Sequence, residues 1–171
     1  MTLSAEQSAV RIQALSALAT IAIVVSACIT ISGNSANFPA QAAWARSAIL
    51  MLLWLMAVIA TRANQRFFHR DEIDGSAPPA NSSSEINAHV LQNTLEQTVL
   101  ILTLTLALCI LRPPFWYPML LAVTLLFSAG RAAFWWGYHH HPVMRGYGFG
   151  LTFYPSLLLA LYLGADLLHL L

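Results

Sequence analysis

Asn93, Glu96, Arg131, Tyr138 and Arg145 are polar side chains at helical intervals in a chain that is 58% hydrophobic and only 9% charged. Glu96 and Arg131 lie inside apolar runs long enough to cross a bilayer. An ionised side chain at membrane depth costs about 3 kcal/mol or more, so it persists where protein or water surrounds it and marks a functional site by default. His89, Asn93 and Glu96 fall at i, i+4 and i+7, one stripe of a helix. Arg131, Phe134 and Tyr138 follow i, i+3 and i+7. Two such stripes, if they face, line a cleft. The planar fork of Arg suits carboxylates. Glu96 suits an ammonium group or another Arg, Asn93 offers donor and acceptor, and Tyr138 offers a hydrogen bond or proton. A zwitterionic peptide with carboxylates, an amine and a thiol fits the set, because Arg near a thiol lowers its pKa and favours the thiolate. The plainer reading is a structural Glu96–Arg131 ion pair that locks a helix bundle. No metal site is expected. Adjacent histidines such as His139, His140 and His141 rarely converge on one ion, and no Cys or nearby carboxylate completes a set.

The elements that must position these residues are legible from the apolar runs. A helix needs about 20 apolar residues to cross the hydrocarbon core. Residues 12–32, 41–61, 90–111, 115–136 and 148–168 meet or approach that length. Gly, Asn, Ser and Pro in residues 33–39 turn the chain, and Arg112-Pro113-Pro114 stops the third run. A polar linker spans residues 71–87, and residues 139–148 join the last two helices. The first run exceeds a signal-peptide core and has no positive excess before it, so it reads as a retained helix. Cys28 and Cys109 match no disulfide or zinc spacing and read as small buried hydrophobes.

All cationic residues are Arg, and their distribution sets an orientation. With the N-terminus cytoplasmic, Arg11, Arg62, Arg66, Arg70, Arg131 and Arg145 lie on or near that side, against Arg46 and Arg112 on the other. Arg62, Arg66 and Arg70 read chiefly as topology anchors, and Arg112 as a snorkelling end residue. Trp44, Trp116, Tyr117, Trp135 and Trp136 suit interfacial belts. Counting back about 20 residues from Arg112 puts the entry of the third helix near Gln92. Glu96 and Arg131 then reach similar depth on one side. The net charge of +1 argues against a nucleic-acid partner. A multi-pass integral membrane protein is expected, in the plasma (inner) membrane if the source is bacterial.

The stretch His89-Val-Leu-Gln-Asn-Thr-Leu-Glu96 resembles the second-helix motif of the MAPEG family, the membrane-associated proteins of eicosanoid and glutathione metabolism. That motif has Arg, then Asn four residues on, then Glu three residues later. Gly130-Arg-Ala-Ala-Phe-Trp-Trp-Gly-Tyr138, followed by Arg145, resembles the family's third helix and the connection after it. The resemblance implies an all-α integral membrane protein. Its four-helix MAPEG-like bundle (residues 41–171) follows an N-terminal extension (residues 1–40) with one additional transmembrane helix, which would lie outside the bundle. It implies a homotrimer with glutathione as co-substrate in clefts between subunits. His89, Asn93, Glu96, Arg131 and Tyr138 would bind glutathione, and Arg145 would hold and activate the thiol against a lipophilic small-molecule electrophile or lipid peroxide. Arg62 or Arg66 would match the basic end of the family's first helix. Three features depart from the pattern: His89 stands at the Arg position, Phe134 where several members have Tyr, and the N-terminal helix is extra. A non-catalytic lipid-binding or scaffold protein on the same fold is the competing expectation.

Overall fold

The computed structural model describes residues 5–31, 39–68, 72 and 74–168. Five helices carry the fold: α1 (Ala5–Ile31), α2 (Ala40–Phe68), α3 (Ser83–Leu111), α4 (Trp116–His140) and α5 (Pro142–Leu167). Each is long and apolar enough to cross a bilayer, and there is no strand among the described residues. The expected all-α membrane fold is the observed one. Residues 33–38 of the first turn, and His69, Arg70, Asp71 and His169, lie outside the described residues.

Several helices run past the apolar stretches that announced them. α3 begins at Ser83, not near Val90, because Ser82 accepts a hydrogen bond from the Glu85 N–H at 3.1 Å. The Glu85 carboxylate accepts in turn from the Asn81 N–H at 2.6 Å. Ser82-x-x-Glu85 is thus a capping pair that satisfies donors at a polar helix start. α4 continues to His140, so the expected connection at residues 139–148 shrinks to His141. The His141 ring accepts from the Val143 N–H, and Pro142 opens α5, where its missing donor costs nothing.

α4 packs against each of the other four helices, and α5 against α1, α3 and α4. Met51, Ile101, Leu108, Leu120, Val123, Phe127 and Leu159 fill the centre. Leu53, Ile110, Leu125 and Leu161 face outward, as they can when the solvent is lipid. In lipid, apolar burial alone does not drive helices together; close packing and polar contacts do. Glycine provides the packing here. A Cβ on Gly148 would lie 2.7 Å from the Gly130 carbonyl oxygen, so α4 and α5 meet backbone to backbone. On another face of α5, a Cβ on Gly150 would lie 2.6 Å from Ser16 Cβ, and one on Gly146 would touch Ile12. Gly146 and Gly150, four apart, therefore seat α1 against the outside of α5.

Candidate functional site

The antiparallel helices bring the C-terminal ends of α2 and α4 and the N-terminal ends of α1, α3 and α5 to one end of the bundle. Arg11, Arg62, Arg66, Arg131 and Arg145 gather towards it, with Arg46 and Arg112 at the other end.

Arg131 is the centre of the site and is 2% exposed. One guanidinium nitrogen (Nη1) donates to Asn93 Oδ1 at 2.9 Å and approaches Thr94 Oγ1 at 3.4 Å. Its other terminal nitrogen (Nη2) donates to Thr152 Oγ1 at 2.6 Å. Thr152 passes its own proton to the Phe149 carbonyl at 2.9 Å. The guanidinium also lies 4.4 Å from the Phe134 ring centre and 5.9 Å from that of Phe127. Arg131 Nε is buried without a hydrogen-bond partner. A buried cation is thus met by neutral dipoles and ring faces, which offset desolvation less fully than a carboxylate would.

The Glu96–Arg131 ion pair entertained from the sequence is not formed. Glu96 is exposed and accepts from the Gln92 amide at 2.8 Å. The buried face of α3 runs through Val90, Thr94, Gln97 and Ile101. His89 and Glu96 each precede a member of that face by one residue, about 100° around the helix, and both project outward. Asn93, half-buried at the edge, is the one member of the stripe that reaches Arg131.

Tyr138 and Arg145 extend the site towards the end of the bundle. Phe134 and Tyr138 meet edge to face, their ring centres 5.0 Å apart, and the exposed Arg145 guanidinium sits 4.9 Å from the Tyr138 ring centre. Arg131, Phe134, Tyr138 and Arg145 therefore form a continuous ladder of two rings between two cations. Gly137 makes this possible, since a Cβ there would lie 2.8 Å from Arg145 Cα.

Two polar clusters at this end escaped sequence reasoning. Arg62 is not a free surface anchor. It is buried and paired with Glu72 at 3.4 Å, and it also contacts Ser84. Ser84 donates to the same Glu72 carboxylate oxygen at 2.6 Å. In the second cluster the buried Asn87 accepts from Trp135 Nε1 at 3.0 Å and contacts His139 Nε2 at 3.0 Å. Indole can only donate, so the shared atom is the amide oxygen and His139 must donate from Nε2. Trp135 thus turns its N–H into the protein, and Trp116 is buried. The three histidines part ways: His139 meets Asn87, His140 stacks on Trp136, and His141 caps α5. The spacing of Ser82 and Glu85 signalled the helix start that places Ser84 and Asn87, but nothing in the sequence signalled Glu72 or Thr152 as partners.

Comparison with curated proteins gives no match, and neither does comparison with solved structures. The MAPEG family model matches residues 41–165, a segment that contains Asn93, Glu96, Arg131, Tyr138 and Arg145 and begins after α1. With a match over most of its length, a five-helix membrane fold and the Asn93–Arg131 contact inside the matched segment, the chain belongs to the MAPEG family.

Proposed function

We propose that the protein is a membrane-bound glutathione-dependent transferase or peroxidase acting on lipophilic electrophiles. The observation that carries this reading is the cation and ring ladder from Arg131 to Arg145, anchored by Asn93 within the family segment. In this reading Asn93, Glu96, Arg131 and Tyr138 bind glutathione, with His89 in place of the motif's Arg. The outward projection of His89 and Glu96 supports a cleft completed by a neighbouring subunit, in a homotrimer. Residues 41–171 form the working bundle and residues 1–40 an extension to it. The arginine bias supports a cytoplasmic N-terminus.

Arg145 is the residue proposed to act on sulfur. Its exposed guanidinium stabilises the thiolate, so the thiol proton leaves to solvent at neutral pH. The sulfur lone pair then forms a carbon–sulfur bond with the electrophile as the leaving group departs with its bonding electrons. Tyr138 holds Arg145 through its ring face. Calorimetry with glutathione and conjugation assays with 1-chloro-2,4-dinitrobenzene test the proposal in detergent-purified protein. Binding with turnover that is lost in Arg145→Ala, with assembly retained, supports it. Absence of both binding and turnover in the wild type would sink it.

A second reading is a non-catalytic lipid-binding or scaffold protein. It is favoured by His89, exposed where the motif has Arg, and by Phe134, whose ring lies against Arg131 where several members have Tyr. Lipid retained in the clefts of a protein without turnover is its signature.

A further inference from the structure

At the end of the bundle opposite Arg131, α2 and α3 leave a groove of about 590 Å³ between them, lined by Gln41, Trp44, Leu106, Cys109, Ile110 and Arg112. Its polar lining is rich in donors. Trp44 Nε1–H is buried with no acceptor, and indole has nothing to offer but that proton. Arg112 is donor-only as well, and it has no carboxylate within 4.0 Å among the described residues. Gln41 adds an amide beside the first turn of α2, which carries no acidic residue to neutralise its positive end.

Arg112 is also held in place. It caps α3 in the left-handed region, at φ 50°, with its N–H on the Leu108 carbonyl. Its guanidinium lies 5.9 Å from the ring centre of Trp116. A non-glycine residue at positive φ stores strain, and such positions concentrate at ligand clamps. The rest of the lining is apolar: Leu106, Cys109 and Ile110 offer nothing polar enough to answer the unpaired N–H. The missing partner must therefore bring an acceptor head and an apolar tail. The groove also opens along two membrane-spanning helices, so the bilayer itself supplies such a molecule.

We propose that this groove binds one anionic phospholipid, with its phosphate on Arg112, Trp44 and Gln41 and one acyl chain along the α2–α3 seam. The site lies at the far end of the bundle from Arg131 and does not depend on whether the protein is an enzyme. The full chain, exchanged into detergent with defined lipid and examined by native mass spectrometry, tests it. Wild type is expected to retain phosphatidylglycerol about tenfold more than phosphatidylcholine, because hydrogen bonds to a charged group are the stronger kind. Arg112→Gln should remove that preference. Trp44→Phe, which keeps an aromatic ring but deletes the donor along with part of the ring area, should reduce it several-fold. Arg46→Gln removes a cation at the same end but outside this groove, and should leave it unchanged. Equal retention of the two lipids by wild type overturns the proposal. So does an Arg46→Gln effect as large as that of Arg112→Gln, which would make the preference general surface charge. Preferential retention of free oleate or inorganic phosphate over phosphatidylglycerol overturns the assignment of the occupant. Helical circular dichroism and a single elution peak for each variant separate lost binding from lost fold.

Discussion

Asn93 and Arg131 join α3 to α4 through a 2.9 Å hydrogen bond, and the guanidinium they position is closed from the other side by Thr152 of α5. Three helices thus converge on one buried cation, with no carboxylate within 4.0 Å of it among the described residues. The contact is both a structural tie and the base of the proposed ligand site, and the two roles separate by experiment.

Asn93→Ala removes the amide that accepts from Arg131 and leaves that end of the cation short of a partner. A hydrogen bond to a charged group is worth about 1.5–3 kcal/mol. Asn93→Ala and Thr152→Val should each lower stability by that order, read as a lower midpoint in denaturing-detergent titrations. Midpoints equal to wild type would mean that Arg131 finds other partners without cost.

Tyr138→Phe keeps the ring on which Arg145 rests and deletes only the hydroxyl. Stability should be unchanged, while glutathione affinity falls about tenfold if the hydroxyl contacts the ligand. Tyr138→Leu deletes the ring face and should lower turnover as well, by loosening Arg145. Comparing affinity with turnover across the two variants distinguishes a binding hydroxyl from a positioning ring.

Glu72→Ala would leave Arg62 buried without its charge partner. Removing one member of a buried pair costs about 3–5 kcal/mol. Ser84→Ala should cost less, because Arg62 and Glu72 keep each other. Thermal melts that rank the two variants in the opposite order would show that the hydroxyl, not the ion pair, holds the linker to α2.

Gly148→Ala and Gly150→Ala place the same methyl group two residues apart, with different consequences. At Gly148 the obstacle is backbone of α4, which cannot turn aside. Gly148→Ala should therefore lower the melting temperature strongly. At Gly150 the obstacle is the Ser16 side chain, so Gly150→Ala should loosen α1 while the other four helices persist. Ser16→Gly combined with Gly150→Ala should restore protection of α1 from protease. Failure of that rescue would mean that α1 is held elsewhere.

Part of the candidate site was legible because membrane chains advertise their polar residues. The rarity of charge singled out Glu96 and Arg131, and helical spacing tied them to Asn93 and Tyr138. Which stripe members turn inward was not legible. The apolar residues of a membrane helix occupy all sides, so hydrophobic periodicity does not mark the core face. One residue of phase, about 100° of rotation, separates the buried Thr94 from the half-buried Asn93 and sends His89 and Glu96 outward.

By itself the sequence determined five membrane-crossing helices, their alternating direction, the end where most arginines gather and the family motif. These follow from lengths, turns and charge, which are local quantities. Tertiary structure alone decided that Arg131 meets Asn93 and Thr152 rather than Glu96. It also decided that Arg62 pairs with Glu72, and that α1 rests on Gly146 and Gly150. Those outcomes depend on how far each helix is rotated and how closely its neighbour can approach. In lipid, glycine clearance and the need to partner buried donors set both.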